Sequence, residues 1–465
     1  MRTPTQLDHD LFRILLYRRD ASEFLLETEG EGLQLPIISI PKHTRVAEEL
    51  TKAIKDEWHL DTYCLFPVSE NGSPIASIPF HAVELWNGEA APPARMRLLP
   101  SAALAGSEFR DQGDFAAVQA LLAKFEQFRR GELPGAFGKP GWLRTVTEWV
   151  AARAATARLS LTGKFRQLNA SATFNLLRFE TDGPALWFKA VGEPNVHEFS
   201  IALALAKLFP HFVPRVIGHR ADWNAWLSVE AEGTHLSDTA PLSNWQQAAA
   251  TLAGLQIASC RHGLHLIDAG SKDIRICSLV PHVESFFERM TELMELQTKS
   301  LPLPLARAEI RSLSAEVRSC LDELSATNIP NTLGHLDFNP GNILVSPEQC
   351  VFLDWAEGSV GHPFFTFQYL LEYWRRFHGV ELDSEQMLVS SYALPWRAFA
   401  SADEIAKNLT LAPLLAVFAY VAGSRAWRHS ELLRDGRAAG YLRSLVRRMK
   451  READLLRERR VVCLP

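Results

Sequence analysis

No stretch of this 465-residue chain approaches the ~20 consecutive apolar residues that a membrane-spanning helix requires. The longest relevant run, Leu411 to Ala422, is interrupted by Pro413, so neither a transmembrane segment nor a membrane partner is expected. An excess of positive charge is also missing: 49 Lys and Arg stand against 54 Asp and Glu, a net charge of −5. That balance offers no basic field to a phosphate backbone, and no nucleic-acid partner is expected. The six cysteines, at 64, 260, 277, 320, 350 and 463, form no C-x-x-C pair and read as packing residues where thiols stay reduced. Met1 to Asp10 has no apolar core of a signal sequence, so the expected location is cytoplasmic. There is no G-x-x-x-x-G-K-S/T loop, and Gly30-Glu31-Gly32 lacks the third glycine of a dinucleotide fingerprint. His262 and His265 have no accompanying metal-ligand set. What remains is ordinary globular composition, 47% hydrophobic and 22% charged, in a chain long enough for about three domains of ~150 residues.

Residues 1–100 read as a small α/β domain. Leu11 to Tyr17, Phe24 to Glu27, Leu35 to Ile40, Tyr63 to Val68 and Phe80 to Trp86 have strand character, and Thr44 to Glu57 has helical spacing at Val46, Leu50 and Ile54. Asn71-Gly72-Ser73-Pro74 reads as a turn between two of the strands. Residues 101–157 read as a helical linker, with one helix from Asp114 to about Arg129 and another from Trp142 to Ala155. Residues 158–233 form a β-rich lobe: a hairpin of Phe174 to Thr181 and Ala185 to Val191, a helix from about Val196 to Leu208, then strands at Val213 to Ile217 and Ala225 to Glu230. From Ser243 the signal is overwhelmingly helical, so 234–465 reads as an α-rich lobe. Tyr441 to Arg460 has its apolar residues on one helical stripe and reads as a packed terminal helix.

The stretch richest in chemistry runs from His335 to Trp355. It has the spacing H-x-D-x-x-x-x-N, from His335 through Asp337 to Asn342, and Asp354 follows an apolar Val351-Phe352-Leu353. Phosphoryl transfer needs a carboxylate to orient and deprotonate an acceptor hydroxyl, and oxygen ligands to hold Mg²⁺ against phosphates. Asp337 suits the first task; Asn342 and Asp354 suit the second. Upstream, Lys189 ends the strand-like Leu186-Trp187-Phe188, and Glu198 stands where a helix begins. A strand lysine held by a helix glutamate presents its charge to the α and β phosphates of a nucleotide.

From about Gly163 to Glu372 the chain resembles the aminoglycoside phosphotransferase and choline kinase family. His335-Leu336-Asp337 through Asn342 is similar to that family's catalytic loop, Asp354-Trp355 to its metal-binding motif, and Trp187-Phe188-Lys189-Ala190 with His197-Glu198 to its lysine strand and helix glutamate. The resemblance implies an α+β, two-lobed protein-kinase-like fold that binds ATP or GTP with Mg²⁺ between its lobes. The γ-phosphoryl group would pass to a hydroxyl of a small-molecule acceptor. Leu227 to Gly233 resembles the family's hinge, where the backbone of Glu230 and Ala231 would meet the nucleobase.

There are departures. Leu336 replaces the family's usual glycine, and Thr366 stands where the family tends to place an aspartate after Gly361-His362-Pro363. No glycine-rich phosphate loop occurs between the first two strands of the β-rich lobe. Two readings stand for Asn169 to Asn175: phosphate contacts from the Ser171 and Thr173 hydroxyls and nearby N–H groups, or an ordinary hairpin turn. Residues 1–100 also resemble a degenerate Nudix domain. Aligned on Asp56 and Glu57, its box has Lys52 at the arginine, but Ala53, Thr44 and Ile38 replace two acids and a glycine, so hydrolysis is not expected. Trp355, Glu357, Glu372, Tyr373 and Trp374 are acceptor-site candidates. A nucleotide-binding regulatory module without turnover is the alternative. The sequence carries no signal of oligomeric state.

Overall fold

A computed structural model describes residues 9–18, 21–28, 32–68, 78–86, 91–379 and 381–462. The expected turn at Asn71–Pro74, the Gly30-Glu31 pair and Cys463 lie outside these residues. The chain divides into two compact units, Met1–Phe199 with Arg215–Glu230, and Ser200–Pro214 with Ala231–Pro465.

The first unit opens with six strands: β1 (His9–Arg18), β2 (Glu23–Glu27), β3 (Ile37–Pro41), β4 (Thr62–Val68), β5 (Phe80–Leu85) and β6 (Met96–Pro100). They form a sheet in the order β4-β5-β1-β2-β6, with β3 paired to β1 and only the β1–β5 pairing parallel. Side chains alternate across a strand, and here both faces are covered. Ile14 and Leu16 pack with Leu50, Ile54 and Trp58 of α1 (Val46–Trp58). Leu15 and Tyr17 pack with Leu121 and Phe125 of α2 (Gln112–Arg130). Double burial explains the unbroken Ile-Leu-Leu-Tyr run in β1. Asp111 caps α2 by accepting the Gly113 N–H at 2.9 Å, and Gly131 closes it at φ +73°.

Next come α3 (Trp142–Thr156) and a five-stranded antiparallel sheet, β7 (Leu161–Ala170), β8 (Asn175–Thr181), β9 (Leu186–Ala190), β10 (Val216–Arg220) and β11 (Ala225–Val229), in the order β10-β11-β9-β8-β7. The stretch read as a linker thus carries α2 and α3, whose apolar faces share one core with Leu177, Phe179, Leu186 and Phe188 of this sheet. Between β9 and β10 lies α4 (His197–Leu208). The strand expected at Val213 starts later, at Val216, beyond Pro214, which has no N–H for a ladder.

The second unit is mainly helical: α5 (Leu242–Ser259), α6 (Gly263–Asp268), α7 (Ile276–Leu279), α8 (Val283–Glu295), α9 (Arg307–Ser325), α10 (Phe364–His378), α11 (Leu382–Ala393), α12 (Ala402–Ser424) and α13 (Gly436–Val462). Two small sheets interrupt it. One joins β12 (Thr234–His235), β15 (Ile343–Val345) and β16 (Cys350–Phe352); the other joins β13 (Lys272–Ile274), β17 (Gly358–Gly361) and β14 (Thr332–His335). Segments of three or four residues show too little periodicity for the second sheet to be read from sequence. Helix α12 is 23 residues long, enough by length and composition to cross a bilayer, yet 67% of its most apolar window is buried. Leu411, Leu415 and Phe418 pack in a core with Val446 and Met449 of α13, whose apolar stripe is buried as expected.

Candidate functional site

The His335–Asp354 segment is built so that its support is buried and its acids are not. His335, at the end of β14, is 1% exposed. Its Nδ1 accepts the Asp337 N–H at 3.1 Å, which leaves Nε2 as the protonated nitrogen, donating to the Leu353 carbonyl at 3.1 Å. One neutral imidazole therefore ties the backbone at Asp337 to the residue before Asp354. Burial lowers its pKa, which keeps it in that form. Trp355 covers the ring, with centroids 5.0 Å apart.

Asp337 and Asp354 are exposed, while Leu336, Phe338, Pro340, Ile343 and Trp355 around them are buried. Asn339 Nδ2 donates to Asp337 Oδ1 at 3.1 Å and orients the carboxylate. Glycine at 341 makes room for this, since a Cβ there would stand 3.0 Å from Asn339 Oδ1. Asn342 Nδ2 donates to the Asp337 carbonyl at 3.0 Å, so the carboxamide oxygen remains as a potential ligand. The Leu353 N–H donates to the Asn342 carbonyl at 2.9 Å, which fixes Asn342 and Asp354 at one end of the β15–β16 hairpin. Asp354 adopts a left-handed conformation, φ +59° and ψ 64°, uncommon for a residue with a Cβ. A carboxylate and a carboxamide oxygen are the hard ligands Mg²⁺ takes, so the donor set fits that ion.

Both departures in this loop have a structural account. Leu336 is a core residue, 3% exposed and clustered with Ile274 and Phe365. Thr366, on α10, accepts the His335 N–H at 2.9 Å through Oγ1. A hydroxyl therefore supports the loop where a carboxylate was expected. Gly334 permits the approach, because a Cβ there would lie 2.8 Å from Thr366 Oγ1.

In the first unit, Lys189 on β9 forms an ion pair with Glu198 in the first turn of α4, and its ammonium lies 5.7 Å from the Trp226 ring centroid. The Lys189 and Glu198 side chains are 15% and 3% exposed, so the pair is largely withdrawn from water. Glu230 is gripped by Arg178 through bonds of 2.7 and 2.8 Å and by the Trp187 indole at 3.0 Å. The hydrogen bond from Arg178 holds its carboxyl below the usual range. Its N–H donates to the Ala185 carbonyl at 2.8 Å. Ser171 Oγ accepts the Thr173 and Phe174 N–H groups at 3.2 and 2.8 Å, so hydroxyl and amides serve the hairpin turn itself. Thr173 packs on Gly192, where a Cβ would meet its Oγ1 at 2.2 Å.

The acceptor candidates separate. Trp355 and Trp374 are core residues, 5% and 3% exposed. Glu372 pairs with Arg448, and Glu357 with Lys272 of β13. Tyr373 lies under Arg376, 4.8 Å from guanidinium to centroid. Sequence reasoning missed Tyr420 on α12, which accepts a hydrogen bond from Tyr441 at 3.4 Å. Burial raises its pKa, and the Tyr441 hydroxyl and the charges of Glu357 and Asp337 add to the effect. It also missed the parts played by Asn339 and Gly334, and took Thr366 only as the place of a lost carboxylate. Asn339 lay inside the motif but read as turn chemistry, whereas Thr366 is 31 residues from its partner. On α1, Lys52, Asp56 and Glu57 are exposed, and among the described residues no three His, Cys, Asp or Glu side chains are grouped to hold a metal.

The phosphotransferase enzyme family matches residues 190–399, a little under half of the chain and including Glu198, Glu230, Asp337, Asn342 and Asp354. No curated protein sequence matches significantly. Among solved structures, a macrolide 2'-phosphotransferase from Brachybacterium faecium is 17% identical, with a TM-score of 0.45 over 63% of this chain and 97% of that one. A choline kinase from Streptococcus pneumoniae is 14% identical, with a TM-score of 0.41 over 68% and 99%. An ethanolamine kinase from Plasmodium vivax is 13% identical, with a TM-score of 0.41 over 60% and 82%. With its β-rich and α-rich regions, this chain has an α+β, protein-kinase-like fold that resembles the aminoglycoside phosphotransferase and choline kinase family, and the family match supports a phosphotransferase-type reaction.

Proposed function

We propose that the protein is a small-molecule kinase that transfers the γ-phosphoryl group of ATP or GTP to an acceptor hydroxyl. The observation that carries this reading is the Asp337 carboxylate, exposed on a loop whose backbone is held from behind by His335 and Thr366. Phosphoryl transfer depends mainly on positioning and charge neutralisation, so a rigidly backed acid suits it. Asp337 orients the acceptor hydroxyl and takes its proton, while Asn339 keeps the carboxylate from rotating. Asn342 and Asp354 would hold Mg²⁺, which when bound neutralises phosphate charge. Lys189, steadied by Glu198, is assigned to the α and β phosphates. The Glu230 carbonyl and Ala231 N–H are assigned to the base, and Ser171 and Thr173 shape the turn beside the phosphates.

The pairing of Glu357 with Lys272 and of Glu372 with Arg448 bears on the acceptor. Each acid already has a cation, which favours a neutral hydroxyl compound over a polyamine. A nucleotide-consumption screen of wild type and Asp337→Asn against a metabolite library tests the reading. Acceptor-dependent consumption by wild type alone supports it. Nucleotide binding with no consumption across the library favours a regulatory module instead.

A further inference from the structure

The β7–β8 turn has no glycine, yet it is braced from outside its own sheet. Gln167, on β7, is 2% exposed. Its Oε1 accepts the Cys64 N–H at 2.7 Å, and its Nε2 donates to the Cys64 carbonyl at 3.0 Å and to Asn175 Oδ1 at 3.0 Å. Asn175, fully buried, donates in turn from Nδ2 to the Ser171 carbonyl at 3.0 Å. A polar chain therefore runs from β4 through two carboxamides to the turn.

Local geometry explains the chain. Strand β4 is an edge of the six-stranded sheet, and an edge residue presents an unpaired N–H and C=O. The Gln167 carboxamide, with one donor and one acceptor side by side, satisfies both as a neighbouring peptide group would. The β7–β8 register slips between Gln167 and Asn169, and such bulges re-aim a side chain. A second anchor comes from the segment before α3. The Phe137 N–H donates to the Ala172 carbonyl at 3.1 Å, and Gly135 approaches so closely that a Cβ would stand 2.2 Å from that oxygen.

We propose that Gln167 is a positioning residue for the nucleotide phosphates, and that β4 and the segment before α3 serve the reaction by bracing the β7–β8 turn through Cys64, Gly135 and Phe137. This rests on the nucleotide-binding reading above. A glycine-rich loop must be ordered by its ligand; a braced turn is ordered beforehand, and preorganisation raises affinity.

The test compares the full-length wild type with Gln167→Met, which removes all three bonds at similar volume, and with Gly135→Ala, which displaces Ala172 while leaving the Gln167 chain intact. Calorimetric titration with Mg·ATP, Mg·GTP, adenosine and guanosine is run on each, with thermal melts to establish folding. The expected result is a loss of about tenfold or more in affinity for the preferred triphosphate in both variants, with affinity for its nucleoside, which has no phosphates, within about twofold of wild type. A merely structural role would weaken both ligands alike. If the wild type binds a nucleotide and both variants bind it as tightly, or lose triphosphate and nucleoside equally, the brace is overturned while the kinase reading stands. A wild type that binds neither nucleotide overturns both.

Discussion

The two units hold their candidate residues in opposite ways. In the first, each polar group is already engaged by a neighbour: Lys189 by Glu198, Glu230 by Arg178 and Trp187, Ser171 by the amides of its own turn. In the second, a buried layer supports exposed acids. His335 and Thr366 hold the loop backbone and Asn339 orients the Asp337 carboxylate, while Asp337 and Asp354 are exposed residues. The first arrangement fixes where a ligand's charge can settle, whereas the second leaves acids accessible for proton and metal chemistry. Substitutions in the two regions should therefore fail differently.

The largest effect on rate is expected at Asp337. Once an acceptor is known, Asp337→Asn should lower kcat by ~10²- to 10⁴-fold, the usual worth of a positioned base, with the nucleotide Kd within about threefold of wild type. Steady-state kinetics beside calorimetry would show the split, and a kcat near wild type would remove Asp337 from the chemistry. Lys189→Met sharpens the contrast, because it removes one partner of a largely buried ion pair. A loss of ~3 to 5 kcal/mol in chemical denaturation is expected, together with weaker nucleotide binding. A variant as stable as wild type would show that the pair is not held as described.

Next is Leu336→Ala. As a core residue it should cost ~2 to 5 kcal/mol in stability, with kcat per folded molecule little changed. Thr366→Val should cost ~1 to 3 kcal/mol by leaving the His335 N–H buried without an acceptor, and Thr366→Ser should restore most of it. If Val and Ser variants behave alike, the hydroxyl is not the support.

How much of this was legible in the sequence depended on distance along the chain. Asp337, Asn342 and Asp354 lie in one short stretch between apolar triplets, so the spacing alone exposed them. Lys189 and Glu198 were legible because a strand end and a helix start lie nine residues apart. Thr366 was noticed only as a missing acid, since its bond to the His335 backbone depends on how α10 packs. Gln167 carried no signal at all: its partner is the backbone of Cys64, 103 residues away, and any residue type could occupy that position. The strands β1 to β5 followed from their apolar, β-rich runs, but β6 and the β13–β17–β14 sheet were missed. Helix α12 was read as a short apolar run because Asn408, Thr410 and Pro413 break up its apolar character.

Stability should also depend on pH through two buried histidines. Burial lowers the pKa of His335, and that of His362 to about 3, below the ~6.5 of an exposed imidazole. Below ~6.5 the unfolded chain binds protons that the folded one does not, so stability should fall as pH drops from there toward the folded values. The slope should be at most about 1.4 kcal/mol per pH unit for each histidine. Denaturant titrations from pH 7 to pH 5 measure it, and replacing His362 by Asn should flatten the profile.

In the proposed kinase, Asn342 and Asp354 would hold Mg²⁺ for a nucleoside triphosphate. Calorimetric titration of wild type and Asp354→Asn with ATP and with GTP, each with and without Mg²⁺, tests it most directly. The expected result is that the wild type binds one of them more tightly with Mg²⁺ and that Asp354→Asn loses the Mg²⁺-dependent part. Binding of neither nucleotide at millimolar concentration, or binding indifferent to both Mg²⁺ and the substitution, would contradict it.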